Sequence, residues 1–243
     1  MSKVRRRKSK PSRQRVCVIT GGSSGIGYET AFRFAQERFH IAICGRNAER
    51  LASVAEDLES NYSAKVHHCV TDLSTTGAAA SFVEEAARAL GGVDVLVNNA
   101  GLAPNFPVEK FSAENLAEVL AVNITAVVEA TTAAWKTMKH AGHGAVVNVS
   151  SLAAIDPFPG FSVYGGTKAF VETFTQAIAN EGKDDGISAF CVRPGAVDTP
   201  LLRSLFPEFP PEERLHPTYV ADLIWNLCTE MHYSSGETIT IKK

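Results

Sequence analysis

An apolar pentad, "VCVIT" at 16–20, runs straight into "TGGSSGIG" at 20–27, and a helical pattern follows. Strand, glycine-rich turn and helix in immediate succession leave few folds open. Gly21 permits the tight turn. Gly25 and Gly27 let backbone approach a pyrophosphate and let the helix pack closely on the strand. Ser23, Ser24 and Ile26 complete the loop, and the helix start offers free N–H groups and the positive end of its dipole. The stretch predicts a dinucleotide site in the first βαβ unit.

The rest of the chain repeats that grammar. Short β-rich runs read as strands at 16–20, 41–44, 65–70, 93–98, 145–150, 187–192 and 237–241. Several are continuously apolar, as strands covered on both faces must be. Helical patterns lie between them at 25–38, 47–60, 76–90, 112–140, 161–182 and 217–230. The alternation predicts right-handed βαβ units in an α/β, doubly wound parallel sheet with helices on both faces. Polar or special residues follow the strand ends: Thr20, Asp72, Asn98, Ser150, Ser151 and Pro194. That edge is where open α/β sheets hold their ligands.

The end of the second strand bears on the choice of cofactor. An acid there would bind the ribose 2′-hydroxyl of NAD(H). The sequence instead has Gly45 and Arg46, which suit a 2′-phosphate that an acid would repel. NADP(H) is therefore favoured over NAD(H), although Arg46 also reads as a solvated turn residue.

Charge divides the chain unevenly. Residues 1–15 carry eight Lys/Arg and no acid, leaving 16 basic against 26 acidic residues in the remainder. The arm is expected to be disordered, ahead of one domain over 16–243. It reads either as a solvated extension or as a contact for nucleic acid or an anionic surface. The acidic body argues against nucleic acid as the main partner. No uninterrupted apolar run reaches the ~18 residues of a membrane span. Nor does the arm lead into the apolar stretch of a secretory signal. The five cysteines lack a CxxC and read as core residues of a reducing, cytoplasmic compartment. No set of side chains has metal-ligand spacing.

"TGGSSGIG", "NNAG" at 98–101, Asn123, "VSS" ahead of "YGGTK" at 164–168, and "RPGAVDTP" at 193–200 together resemble the short-chain dehydrogenase/reductase family. The likeness spans about residues 16–241. It is similar to the compact branch that includes 3-oxoacyl-carrier-protein reductases. It implies a seven-stranded sheet in the order 3-2-1-4-5-6-7. It also implies reversible hydride transfer between a nicotinamide and a carbonyl or alcohol, often in a homo-dimer or homo-tetramer.

The resemblance also assigns roles. Tyr164 and Lys168 match the family's catalytic pair, Asn123 its helix asparagine, and Ser151 its serine about thirteen residues before the tyrosine. Asp72 and Leu73 match the residues beside the adenine. Asn98, Asn99, Ala100 and Gly101 match the segment behind the adenosine side. Pro194, Gly195, Val197 and Thr199 match the loop over the nicotinamide.

Reduction of a carbonyl needs hydride on carbon and a proton on oxygen. A tyrosine starts near 10, but a fixed cation about 4 Å away contributes about 4 kcal/mol and lowers it by about three. Tyr164 and Lys168 are four apart, so on a helix they share a face. Ser151 would polarise the substrate oxygen, with Ser150 pointing elsewhere. Asn123 reads both as a buried amide capping an internal carbonyl and as the holder of a water beside Lys168.

Ala153, Ile155, Phe158, Phe161 and the proline-rich segment 201–217 are expected to line the substrate pocket. Basic positions that help the carrier-protein enzymes dock are Gly142 and Asp185 here, which weakens that reading. Oxoacyl thioesters, small ketones, aldehydes and sugars all remain open as the small-molecule substrate. The alternative function is a non-catalytic cofactor sensor that uses its arm to contact a partner.

Overall fold

In a strand whose side chains alternate, Cys17 and Ile19 must face one way and Val16 and Val18 the other. In the computed structural model, which describes residues 13–230 and 234–243, each set meets a helical layer. Cys17, Ile19, Ile41, Ile43, Val95, Val97, Val147 and Phe190 pack under Phe34, Leu51, Leu58, Val220, Ile224 and Leu227. Val16, Val18, Ala42, Cys44, Leu96 and Val146 pack under Phe82, Val83, Ala130, Ala134, Met138 and Ile178. Two cores, one on each face, explain the continuously apolar strands.

The strands are β1 (Val16–Thr20), β2 (His40–Gly45), β3 (Val66–Val70), β4 (Val95–Asn98), β5 (Gly144–Val149), β6 (Ile187–Pro194) and β7 (Thr238–Ile241). They form one parallel sheet in the order β3-β2-β1-β4-β5-β6-β7. The helices are α1 (Gly25–Gln36), α2 (Ala48–Asn61), α3 (Ala78–Leu90), α4 (Ala113–Leu120), α5 (Ala126–Ala141), α6 (Ser162–Glu181), α7 (Pro200–Leu205) and α8 (Pro217–Thr229). The strand order reverses between β1 and β4. Loops after those strands diverge there and leave a crevice at their carboxyl ends.

The structure departs from the sequence reading in three places. The helix expected over 112–140 is interrupted at Ala121–Thr125 by a π turn, with α4 before it and α5 after it. Such turns are frequent at functional sites, and Asn123 is the buried polar residue in this one. Ala113–Ala141 as a whole is long and apolar enough to cross a membrane by composition. Its apolar residues Ala126, Ala130, Ala134 and Met138 instead belong to the core layer. The segment at 201–217 contains a short helix, α7, started by Pro200 behind a Thr199 cap.

The third departure concerns the basic arm. Residues 1–12 lie outside the described residues. Residues 13–15 belong to the folded body rather than to a disordered extension. The Arg13 guanidinium makes two bonds to Asp94, at 2.6 and 2.9 Å, and Arg15 covers the Phe39 ring at 4.2 Å. Asp94 also accepts from Val16 N and meets His143 Nε2 at 2.9 Å. A nearly buried carboxylate needs such partners, and this one fastens the chain entry to the amino edge of the sheet.

Candidate active site

At the carboxyl edge of the sheet lies a cleft of about 1300 Å³. That exceeds the 300–1,000 Å³ or so of ordinary small-molecule sites, so it has room for a dinucleotide and a second reactant. Gly21, Ser23, Ser24, Gly25 and Ile26 form one end of its wall. Gly21 and Gly25 hold positive φ, at 70° and 56°, which a residue with a Cβ resists. Gly27 sits behind the wall. A Cβ there would come within 2.3 Å of Gly21 O, so glycine is what lets α1 start so close to the turn.

The 98–101 segment is stitched to this loop. Thr20 Oγ1 accepts from the backbone of Asn99 and Ala100, and Asn99 Nδ2 donates to the carbonyls of Thr20 and Gly21. Asn99, Ala100 and Gly101 line the cleft. Asn98 does not. It is buried in a polar chain across the sheet, donating to Thr131 and Asn148.

At the end of β2, Gly45 and Arg46 border the cleft. A Cβ on Gly45 would sit 3.1 Å from Ser23 Oγ. Asp72 and Leu73 follow β3 on the same wall. The Asp72 carboxyl is held below its usual range, first by the backbone and hydroxyl of Ser74 and then by the Arg46 charge.

The other half of the cleft begins where β5 ends. Ser150 and Ser151 separate there. Ser150 Oγ turns inward and donates to Glu172 Oε1 at 2.7 Å. Ser151 starts a 3-10 turn, its hydroxyl accepts from Ala153 N at 3.2 Å, and it lies near the Tyr164 phenol of α6. Lys168, one helical turn on, is buried with its Nζ 5.8 Å from the Tyr164 ring centroid.

The electrostatics differ from the expectation that lysine holds the tyrosine low. Burial raises the Tyr164 pKa, and the nearby Ser151 hydroxyl only partly opposes this. Burial lowers Lys168 to about 8. Its ammonium is fixed on the Val149 carbonyl at 2.8 Å instead of on the phenol. Lys168 is buried and Tyr164 half-buried at the cleft wall, and desolvation disfavours the charged form of each.

Asn123 lies behind this pair. Its amide accepts from Leu102 N at 2.8 Å and donates to Leu102 O and Thr167 Oγ1, at 2.8 and 3.0 Å. It does not line the cleft. These bonds are those of a buried clamp: Asn123 fixes the strand-end segment beside Lys168.

Pro194, Gly195, Val197 and Thr199 close the cleft from the β6 side. Thr199 caps α7 by accepting from Leu202 N, and its methyl lies over Gly25, where a Cβ would be 2.8 Å away. Ala153, Phe158 and Phe161 line the substrate side as expected, with Leu201, Leu202 and Phe206 from the following segment. Ile155 does not line it and is 62% exposed. Asp185, far from the cleft, pairs with Lys139 at 2.9 Å.

Sequence reasoning missed Glu172 and Arg193. Arg193 makes two bonds to the Glu172 carboxylate, at 2.8 and 2.5 Å, and Ser150 supplies a third. The network ties α6 to the serine turn and to the Pro194 loop. The signal was available: Glu172 is four residues after Lys168, on the same inward face, and Arg193 immediately precedes Pro194–Gly195.

A doubly wound sheet with a dinucleotide-sized cleft, a glycine turn at one end and a serine–tyrosine–lysine set at the other defines a nucleotide-dependent oxidoreductase. The short chain dehydrogenase family model matches residues 15–209, and the chain belongs to that family.

Its relatives are varied. It is 36% identical over 187 residues to sulfoacetaldehyde reductase 2 of Chromohalobacter salexigens, covering 76% of this chain and 73% of the relative. It is 31% identical to a 3-oxoacyl-[acyl-carrier-protein] reductase of Chlamydia muridarum, over 79% of this chain and 77% of that one. Its fold is similar to L-sorbose reductase of Gluconobacter frateurii, solved with NADPH and L-sorbose. That match has TM-score 0.87 and 29% identity, and covers 95% of each chain.

Proposed function

We propose that the protein is an NADP(H)-dependent carbonyl reductase, acting reversibly, with Tyr164 as its acid and base. One juxtaposition carries the reading: Ser151, Tyr164 and Lys168 border the same cleft as the Gly21–Ile26 turn. The residues fit a dinucleotide with a 2′-phosphate. No carboxylate stands at the end of β2, Gly45 leaves that corner open, and Arg46 and Ser23 supply a cation and a hydroxyl. Asp72 and Leu73 would border the adenine, with Asn99, Ala100 and Gly101 behind the adenosine. Pro194, Gly195, Val197 and Thr199 would cover the nicotinamide.

When bound, the reduced nicotinamide supplies the hydride that adds to the carbonyl carbon. Ser151 donates a hydrogen bond to the substrate oxygen, where charge develops. Tyr164 gives that oxygen its proton, leaving an alcohol and a tyrosinate. Lys168, protonated below about 8, stabilises the tyrosinate. At a separation of about 6 Å and an effective dielectric near 20, this is worth about 3 kcal/mol. Burial keeps Tyr164 protonated beforehand, which suits a donor. In the reverse direction the tyrosinate removes the alcohol proton.

The cofactor half of the proposal is tested with Arg46→Ala. Calorimetry should show NADPH weakened about thirtyfold, about 2 kcal/mol, with NADH changed about twofold or less. Equal weakening of both would contradict the 2′-phosphate assignment.

A further inference from the structure

We propose that the substrate is an uncharged carbonyl compound with an aromatic ring beside the carbonyl carbon, and that the ring seats against Phe158 and Phe206. The inference rests on the reductase reading above and names the substrate class of that site.

The starting point is a cluster that the proton chemistry does not use. Phe158 and Phe161 come from the segment after β5, and Phe206 from the end of α7. Phe161 and Phe206 are stacked, with centroids 5.8 Å apart and planes at 20°. Phe158 meets both edge-on, at 6.4 and 6.3 Å. Phe161 in turn lies 5.6 Å from the Tyr164 ring. The proposed proton donor therefore stands at one corner of an aromatic cluster.

A cluster serving only stability would be closed on all sides. Phe161 is 3% exposed, but Phe158 is 59% exposed while it lines the cleft. An open ring face beside two fixed rings offers the offset or edge-on geometry that a further ring prefers. The rings are held in place before any ligand arrives. Asp198 is bound by Arg203 and Arg214, and Val197 and Leu215 bridge the two ends of the segment that carries Phe206. A site built in advance need not be ordered on binding.

Charge narrows the class further. On the substrate side Glu118, Asp156, Glu212 and Glu213 line the cleft against Lys168, Lys242 and Lys243. A sulfonate, a carboxylate or a phosphate-bearing thioester would meet a small excess of like charge. A polyol would find rings where it needs hydrogen-bond partners. An uncharged aryl carbonyl incurs neither cost. The chemistry is unchanged: the carbon gains hydride from NADPH, the oxygen gains the Tyr164 proton, and NADP+ and the alcohol leave.

The test compares three ketones of similar size with NADPH-loaded enzyme: propiophenone, cyclohexyl ethyl ketone and 4-propionylbenzoate. Turnover is measured with the wild type, and binding by calorimetry with Tyr164→Phe, which holds the ketone without reducing it. The expected result is kcat/KM about tenfold higher for propiophenone than for either partner, with Kd values in the same order. Phe158→Leu and Phe206→Leu should each shrink the aryl-to-cyclohexyl ratio to about threefold or less. Equal or better binding and turnover of the saturated or anionic ketone would overturn the inference, as would a ratio unmoved in both variants. Selective aryl binding with no turnover of any ketone would instead overturn the reductase reading and leave the ring assignment standing.

Discussion

The two ends of the cleft are built from different material. At the glycine turn the wall is backbone. Gly21, Gly25 and Gly27 are required by positive φ or by contacts that a Cβ would break, and Thr20 and Asn99 lock the neighbouring loop in place. At the far end the wall is side chain: Phe158 and Phe161 from the segment after β5, and Phe206 from a segment pinned through Asp198. A backbone site cannot be re-specified without breaking the turn, whereas a side-chain site can change one ring at a time. Between the two lies the Ser151–Tyr164–Lys168 set, held by Glu172, Arg193 and Asn123. The difference shows how this fold separates the chemistry it keeps from the substrate it selects.

Gly27→Ala should break the comparison most severely. Its Cβ would lie 2.3 Å from Gly21 O and 2.5 Å from Asn99 Nδ2, so α1 must move. The expected loss is about 3 kcal/mol of stability, read by urea denaturation, with dinucleotide affinity falling in parallel. A variant of wild-type stability and affinity would show that the turn tolerates what the contacts forbid.

Glu172→Gln tests the link between the halves. Gln keeps the volume and one partner for Ser150 but leaves Arg193 without its counter-charge. The pair is about nine-tenths withdrawn from solvent, with side-chain exposures of 12% and 15%. About 2 kcal/mol of stability should be lost. A positioning role further requires kcat to fall more than KM rises, with Glu172→Asp restoring part of kcat. An unchanged kcat would reduce the network to a structural brace.

The smallest effect is a matter of pH. Lys168 is charged below about 8 and neutral above it, and a neutral lysine cannot stabilise the tyrosinate. Tyr164, raised by burial, is protonated over the same range. Both point the same way, so kcat/KM for reduction should fall as pH rises through about 8. A rate that climbs through that region would contradict the assignment.

Much of this was legible in the sequence. β1 is the pentad "VCVIT" itself, and the sheet order is the one the resemblance implied. Local signals of this kind survive folding because strand alternation and glycine geometry act over a few residues. The unread features are those without a local signature. A π turn adds one residue to a helix without disturbing its apolar face enough to be seen, so α4 and α5 read as one helix. α7 is too short to show a period. The Glu172–Arg193 and Arg13–Asp94 pairs join residues 21 and 81 positions apart, and nothing local announces either. Spacing gives proximity but not burial, so the desolvation that raises Tyr164 has no signature in the sequence.

The central claim is that Tyr164 supplies the proton while the glycine turn independently holds the cofactor. Tyr164→Phe measures both at once. Single-turnover reduction with NADPH should fall about a thousandfold, while the calorimetric Kd for NADPH stays within about twofold of wild type. Reduction at the wild-type rate in that variant would contradict the account.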